Sequence, residues 1–195
     1  MQATTTARPT KKERTRAALI GAATTLFRVQ GYEDTTVEQI AAGAGVTART
    51  FFRYFPSKDA VVFPNAEARH QAFVDALAGA DDDEPPLSAV RRAFRETVRE
   101  FAEHRHELVL QHRVIESAPT LIARERELDR RWEDALARHL GGDGPDPVDA
   151  RRARLLAGAF MGAARAMFDE WYASDGKADL LALAAETEAL LAGYR

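Results

Sequence analysis

The segment Thr35–Lys58, TTVEQIAAGAGVTARTFFRYFPSK, predicts two short helices joined by a glycine turn. Thr36 is a candidate N-cap of the first helix, and Gln39 follows three residues later, where a capping box requires Glu or Gln. The apolar positions of this helix recur at i, i+3, i+4 and i+7, namely Val37, Ile40, Ala41 and Ala44. Gly45 favours the left-handed backbone that ends a helix, and Thr47 can cap the next one. This pattern predicts a helix-turn-helix, whose second helix enters the major groove of DNA.

The second helix, which follows Thr47 and ends before Pro56, is predicted to contact DNA bases. Arg49 and Thr50 are expected on its outer face, opposite the core residues Phe51 and Phe55, where they can reach base edges. Ala48 is expected close enough to contact a thymine methyl group. A helix of seven or eight residues is too short to be stable alone, so a neighbouring helix must support it.

The run Gly31–Lys58, beginning GYEDTTVEQIAAGAG, resembles the signature of the TetR family of transcriptional regulators, and it fills nearly every position that the signature specifies. The resemblance implies phosphate contacts from Thr47, Tyr54 and Lys58, with a further one from Thr35 or Thr36 at the start of the first helix. The alternative is that the threonines only cap, Tyr54 packs, and Lys58 is a solvated charge. One departure is Phe52, which stands where the family usually has Tyr, so a phosphate contact through that hydroxyl is lost.

The charge of the chain is distributed unevenly. Residues 1–58 carry nine Lys or Arg against four Asp or Glu, a net of +5, and the remainder carries 18 against 26, a net of −8. This asymmetry attracts phosphates to one end of the chain and repels DNA from the rest. Within the basic end, Arg8–Arg16 has two possible roles. It is either an arm that contacts the DNA backbone or the minor groove, or a flexible, solvated tail, and the sequence does not decide between them.

The helical periodicity predicts an all-α fold of about nine helices in two domains. Residues 1–58 form the predicted DNA-binding domain, with a disordered arm over residues 1–10, and residues 59–195 form an effector-binding and dimerisation domain. Pro64 lies within the helix expected after Ser57, where it either kinks that helix or divides it in two. A hydrophobic content of 46% and a charged content of 29% are those of a globular protein.

The two C-terminal helices are predicted to form a homodimer, because a single short recognition helix contacts too few base pairs for specificity. The family resemblance places these helices in a four-helix interface, and small residues would allow a close helix approach; the alternative is an ordinary monomer core. The expected interface residues are Leu155, Gly158, Ala159, Gly162, Ala163, Ala166, Leu180, Leu183, Thr187 and Leu190.

The resemblance also implies a small-molecule effector site in the second domain. Its candidate lining is Phe94, Phe101, His112, Trp132, Phe160, Met161 and Met167. Each of these aromatic and methionine side chains fits an apolar core equally well. The motifs RTFFRYFPSK, SAPTL and RWEDAL are similar to those of a subgroup associated with ligands resembling acyl-coenzyme A, and an apolar effector suits this lining.

No cofactor, metal site or catalytic activity is predicted. His104 and His106 are two residues apart and so point to different faces of a helix, which does not fit a helical metal pair. The sequence has no cysteine, and neither a secretory signal nor a membrane span is expected, which favours the cytoplasm. The leading hypothesis is a homodimeric repressor that binds a palindromic operator and is released by an effector; the alternative is an all-helical ligand carrier or enzyme with a coincidental helix-turn-helix.

Overall fold

The computed structural model describes residues 10–79, 83–142, 144 and 146–193. Within these residues the chain forms nine α-helices and no strand, which confirms the predicted all-α fold. The helices are α1 (Lys11–Gln30), α2 (Val37–Gly43), α3 (Ala48–Tyr54), α4 (Ala66–Ala78), α5 (Pro86–Glu103), α6 (Arg105–Glu116), α7 (Pro119–Ala137), α8 (Pro147–Ala173) and α9 (Leu180–Gly193). A 3-10 turn covers Asp59–Val61, and an irregular turn over Arg138–Gly142 follows α7.

The helices form two compact units whose division differs from the predicted boundary after residue 58. The first unit comprises the chain up to Pro64 together with Arg113–Leu121, and the second comprises Asn65–His112 and the chain from Ile122 onwards. The 3-10 turn joins the first unit because Val61 and Val62 are buried. Apart from Thr10, the predicted arm over residues 1–10 lies outside the described residues.

Helices α1 to α3 supply most of the core of the first unit. Leu19, Ile40 and Phe51 are each fully buried, and Phe55 is 3% exposed. The rings of Phe51 and Phe55 lie 5.7 Å apart, as members of this core rather than as DNA contacts. The end of α6 and the start of α7 add a further buried set, which consists of Val114, Ile115, Ala118 and Leu121.

The chain breaks after α3 rather than continuing as one long kinked helix. The 3-10 turn ends at Val61, and α4 begins only at Ala66, two residues after Pro64. Proline restricts the residue before it to extended backbone, which explains why a helix does not run through this position. Of the two outcomes expected at Pro64, the division into separate elements is the one observed, and Ser57 does not cap α4.

The second unit is a helical bundle with one large apolar core. Trp171 of α8 is 1% exposed at its centre, and α9 packs along both α5 and α8. Asp175 and Gly176 form the turn between α8 and α9, with φ values of 56° and 68°. A Cβ atom at Gly176 would lie 2.8 Å from Cγ of Arg105, so the turn docks closely on the start of α6.

Candidate functional site

The two short helices are held in place by local caps. The Thr36 hydroxyl accepts a hydrogen bond from the Gln39 amide at 3.2 Å, and the Gln39 side chain accepts one from the Thr36 amide at 2.8 Å, completing the predicted capping box. Gly45 adopts a φ of 70° at the turn. Thr47 then caps α3 by accepting a bond from the Thr50 amide at 3.2 Å. These interactions fix the start of each helix and therefore the direction in which α3 presents its side chains.

The outer face of α3 carries Arg49, Phe52 and Arg53, all exposed. They stand at i, i+3 and i+4 and therefore share one face of the helix. Arg53 lies over the ring of the half-buried Tyr54, with 5.3 Å between the guanidinium carbon and the ring centroid. Phe52 is 54% exposed, although a phenylalanine usually packs inside. Arg53 was not among the residues predicted to contact DNA.

Ala48 and Thr50, which were predicted to contact bases with Arg49, are half-buried. The hydroxyl of Thr50 lies 3.2 Å from that of Thr47, so it points towards the start of α3. Both side chains stay close to the helix axis. They can approach only the part of a groove that lies against the N-terminal turn, whereas Arg49 reaches further.

The position of Thr35 differs from the prediction of an exposed phosphate contact. Its side chain is 1% exposed, and its hydroxyl donates a hydrogen bond of 2.7 Å to the carbonyl of Gly31. A phosphate contact through this hydroxyl is contradicted, because the group is inside the protein and supports the loop before α2. Thr36, in contrast, is exposed. A hydroxyl that accepts one bond can still donate another, so Thr36 keeps the predicted contact available.

Lys58 is placed differently from the prediction. Its ammonium donates to the carbonyls of Tyr32, Glu33 and Thr35 at 2.8, 3.3 and 2.9 Å, and it lies 4.1 Å from the centroid of the Tyr32 ring. An ammonium has three donors, and all three are directed at this loop. Lys58 therefore acts as a clamp on the loop between α1 and α2, since its N–H donors are directed at three backbone carbonyls of that loop.

Tyr32 is the buried ring beneath this clamp. Burial, followed by the nearby carboxylates of Asp59 and Glu33, raises its pKa to about 12. The phenol is therefore neutral at physiological pH, and the positive charge of Lys58 lies against a neutral π face. This arrangement was missed from the sequence, because Lys58 and Tyr32 are 26 residues apart and no local pattern relates them.

Contacts made by two further residues, Arg16 and Thr120, extend the support of the helix-turn-helix beyond its own sequence. Arg16 bonds to the carbonyl of Pro64 and lies over the ring of Phe55, so this member of the predicted basic arm stabilises the first unit. Thr120 donates to the Glu33 carboxylate at 3.0 Å. Arg8, at the other end of the predicted arm, lies outside the described residues.

The predicted dimer residues lie mostly on accessible faces of α8 and α9. Five of these residues are exposed, namely Leu155, Ala159, Gly162, Ala166 and Leu190. Four are half-buried, namely Gly158, Ala163, Leu183 and Thr187. Leu180 is the exception and a correction: it is 3% exposed and belongs to the core of the second unit, because it packs inward at the start of α9. Leu156 and Leu181 are exposed large apolar side chains that were not predicted.

The predicted effector residues do not form one group. Phe94, Phe160 and Met167 are buried in the apolar core, with the two phenylalanine rings edge to face at 5.1 Å. Trp132 packs against Phe73 at 4.7 Å. Met161 is half-buried against the same core.

Phe101 and His112 instead belong to a row of half-buried rings. The rings of His112 and Tyr172 stack at 3.9 Å with 6° between their planes, and Phe168 links Tyr172 to Phe101 with centroid separations of 6.4 and 5.0 Å. Burial, followed by the charge of Glu125, raises the pKa of Tyr172. We call Phe101, His112, Phe168 and Tyr172 the ring row. Phe168 and Tyr172 were missed, although their i, i+4 spacing on α8 is a signal that was available in the sequence.

Charged side chains flank the ring row. Arg69 lies over the Phe101 ring at 5.0 Å and pairs with Glu100 at 2.9 Å. Asp129 pairs with Arg165 at 3.3 Å, and burial raises the pKa of the Asp129 carboxyl despite this partner. The surroundings of the rings therefore combine apolar surface with ion pairs that are partly removed from water.

A separate groove of about 420 Å³ lies between α5 and α9. One side carries Arg91, Arg95 and Arg99, which repeat every four residues on α5, and Arg95 is bound to Glu188 at 2.6 Å. None of the predicted effector residues lines this groove.

The described residues contain no group of three or more His, Asp or Glu side chains arranged to hold a metal ion. No helix in the part of the chain that the structure describes is long and apolar enough to cross a membrane.

The capped pair α2 and α3, with α1 behind it and a cationic outer face on α3, defines a helix-turn-helix DNA-binding protein. Residues 19–63 match the model of the bacterial regulatory proteins of the tetR family, and residues 84–194 match that of the MftR C-terminal domain. The chain is 36% identical over 195 residues to the HTH-type transcriptional regulator TcmR of Streptomyces glaucescens, covering 96% of this chain and 86% of that protein. The chain belongs to the TetR family of transcriptional regulators.

Further relatives agree with this assignment. The putative mycofactocin biosynthesis transcriptional regulator MftR of Mycobacterium tuberculosis is 27% identical over 176 residues, 86% of this chain and 85% of that protein. Among solved structures, a TetR-like regulator from Rhodococcus sp. RHA1 is 25% identical, with a TM-score of 0.58 and coverage of 95% and 100%. The fatty acid degradation regulator FadR of Bacillus halodurans shares the fold at 23% identity, with a TM-score of 0.66 and coverage of 95% and 98%.

Proposed function

We propose that this regulator is a homodimeric repressor that binds a palindromic operator through two copies of α3 and leaves it when a small effector binds. The observation that carries the proposal is the outer face of α3, where Arg49, Phe52 and Arg53 are exposed while Phe51 behind them is fully buried. A recognition helix must present its side chains in a fixed orientation, and a buried inner face together with a capped start supplies that.

Arg49 is the proposed base-reading cation. A guanidinium can donate two parallel hydrogen bonds to O6 and N7 of guanine. This pairing is the commonest contact by which a protein recognises a specific base in the major groove. Ala48 and Thr50 lie beside it near the start of α3 and would contact the neighbouring base pair. Arg49→Ala should weaken binding to the operator by about 1–3 kcal/mol and relax specificity at one position. Unchanged affinity on every sequence would remove Arg49 from this role.

Phosphate contacts are proposed for Thr36, Thr47 and Tyr54. Both threonines are exposed, and each hydroxyl oxygen accepts a backbone N–H. The Thr36 hydroxyl can donate as well, and the Thr47 hydroxyl, which lies 3.2 Å from that of Thr50, can donate to a phosphate when Thr50 is the donor of that pair. Tyr54 is half-buried beside Arg53, whose positive charge favours an anion there. Such contacts fix the register of the protein on the duplex without selecting sequence.

The accessible apolar faces of α8 and α9 support the dimer. Leu155 is 64% exposed, and Ala159, Gly162 and Ala166 follow it at i+4, i+7 and i+11, forming a stripe of small side chains along α8. Leu190 adds a 59% exposed side chain on α9. Burying these surfaces against a second copy would remove them from water, and the two recognition helices would then address half-sites about one DNA turn, ~34 Å, apart.

The ring row is the proposed effector site. Its rings border the apolar core but remain half-buried, so they adjoin accessible space rather than filling the interior. A small apolar effector, or the acyl chain of an acyl-coenzyme A, would gain by covering them. The helix α6 carries His112 and continues through Val114 and Ile115 of the first unit, so a shift of its backbone on binding is a route by which the effector would alter the DNA-binding unit.

Selection of bound sequences from random duplex DNA tests the core of the proposal. A palindrome with half-sites one turn apart is expected, and its affinity should fall steeply with salt because Lys and Arg release counterions. Sedimentation velocity at micromolar protein should give a dimer. Enrichment of no sequence, or of a single asymmetric half-site bound by a monomer, would refute the proposal.

Intrinsic fluorescence tests the effector. The sequence has two tryptophans, and Trp171 lies 5.0 Å from the Tyr172 ring, so the Trp132→Phe variant reports from the ring row alone. Titration with decanoyl-coenzyme A should change its emission saturably and release the operator, whereas coenzyme A without an acyl chain should do neither. Tyr172→Ala should abolish the response. An unchanged spectrum with the acyl compound would exclude this class of effector.

A further inference from the structure

We infer that Phe52 is a specificity-determining residue that contacts the C5 methyl group of a thymine in each operator half-site. This inference rests on the proposed DNA-binding function and adds a base contact to it. The sequence indicates only that Phe52 loses a phosphate contact, because phenylalanine lacks the hydroxyl of the tyrosine usual at this position. Its position on α3 assigns it a different role.

The ring of Phe52 is held on the outer face of α3. It is 54% exposed and lies three residues after Arg49, on the same face. Its inner edge meets the ring of Phe51 edge to face at 5.5 Å, and Phe51 is itself fully buried against Phe55. The ring is therefore supported from behind by an anchored core residue and presents its outer part to whatever α3 faces.

The chemistry of the side chain limits what it can contact. A phenylalanine has no hydrogen-bond donor or acceptor, so it gains nothing from a phosphate or from the polar edge of a base. The apolar group that base edges present in the major groove is the methyl group of thymine. Covering exposed aromatic surface with that methyl group removes both from water, which is favourable.

Ala48 is the competing candidate for a methyl contact. It lies four residues before Phe52 and so on the same side of α3, but it is half-buried and offers a single methyl group close to the helix axis. The Phe52 ring projects several ångströms further and is more exposed. We therefore assign the thymine to Phe52, and the experiment separates the two residues.

The experiment replaces each thymine of the selected operator by deoxyuridine, which lacks only the C5 methyl group. Affinities are measured by fluorescence anisotropy for the full-length wild type and for Phe52→Ala, Phe52→Tyr and Ala48→Ser. One buried methyl group corresponds to about a fourfold loss per half-site, or about fifteenfold when both half-sites are changed. Circular dichroism and urea unfolding confirm that each variant is folded.

The expected result is that wild type and Phe52→Tyr, which both keep the ring, lose affinity at one symmetric thymine position. Ala48→Ser should also lose affinity when deoxyuridine replaces thymine at that position. Phe52→Ala should bind the operators with thymine and with deoxyuridine at that position equally. The inference is overturned if wild type tolerates deoxyuridine everywhere, if the half-sites contain no thymine, or if Phe52→Ala still discriminates. Failure to select any operator would instead overturn the proposed function.

Discussion

Replacing Lys58 by Met should destabilise the first compact unit while leaving the salt dependence of DNA binding unchanged. Met keeps the apolar stem but removes the ammonium that donates to the carbonyls of Tyr32, Glu33 and Thr35. The family resemblance predicts the opposite pattern, since a phosphate contact would contribute to salt dependence and little to stability. One substitution therefore distinguishes a loop clamp from a DNA contact.

The size of the effect follows from the three contacts. A hydrogen bond from a charged donor contributes about 1.5–3 kcal/mol net, and a cation over a ring adds about 0.5–1 kcal/mol. The Glu33 carbonyl is exposed and would be hydrated after the substitution, whereas the bonds to Tyr32 and Thr35 are partly buried. Because the contacts share one ammonium and do not add fully, we expect a loss of about 2–4 kcal/mol in unfolding free energy.

Two measurements on the same protein check this expectation. Urea unfolding followed by circular dichroism gives the stability, and anisotropy titrations on the selected operator at several salt concentrations give the slope of log K against log salt. The matched control is Arg53→Met, which removes an exposed cation from α3. It should cost at most about 1 kcal/mol of stability, from the lost contact with the Tyr54 ring. If the Arg53 charge neutralises a phosphate, the magnitude of the slope should fall by about 0.9 per half-site.

If Lys58→Met unfolds at the same urea concentration as wild type and its slope falls by about 1.8 for the dimer, Lys58 contacts phosphate. A stable variant with an unchanged slope would also contradict the clamp, since the three bonds would then contribute nothing measurable.

Three further expectations concern stability, assembly and pH. Gly176 and Gly45 have φ values of 68° and 70°, but a Cβ would lie 2.8 Å from a side-chain carbon at Gly176 and in open space at Gly45. Gly176→Ala should therefore cost about 2–5 kcal/mol in urea unfolding and Gly45→Ala about 1–2 kcal/mol, and equal losses would contradict the crowding. Leu155→Glu should give a monomer in sedimentation velocity, whereas Val29→Glu, at a 74% exposed site on α1, should leave a dimer; a dimer in both would remove Leu155 from the interface. Burial raises the pKa of Asp129 above 3.8, so between 3.8 and the raised value the folded state binds more protons than the unfolded state, and this contribution to stability grows as pH falls. Asp129→Asn has no titrating carboxyl at this position and lacks this contribution. The melting temperature of the variant relative to wild type should therefore fall from pH 7 to pH 4, and a constant difference would contradict the burial effect.

The local features of the helix-turn-helix were predictable because each depends on residues three or four apart. Thr36 and Gln39 form their capping box, Gly45 takes the positive φ, and Thr47 caps α3, all from patterns that short-range hydrogen bonding requires. The exposure of Arg49 followed from the helical position of buried Phe51.

The remaining site residues depended on contacts between distant parts of the sequence. Whether Lys58 faces solvent or the loop at Tyr32 is decided by packing across 26 residues, and the Thr35 hydroxyl, in the loop before α2, could have pointed outward or into the protein. Leu180 shows the same limit, since an apolar residue at helical spacing fits either a core or an interface. The ring row required α5, α6 and α8 to be brought together, which periodicity does not specify.

The first compact unit is discontinuous in sequence, and this has a consequence for how such regulators can be recombined. Arg113–Leu121 belongs with the residues up to Pro64, and it brings the buried side chains of Val114, Ile115 and Leu121. A chimaera that takes its first 64 residues from another member would therefore pair a foreign helix-turn-helix with a native supporting segment. Exchanging operator specificity between relatives should require transplanting both stretches. The part of the chain that must be transferred together is therefore larger than the contiguous motif by which the family is recognised.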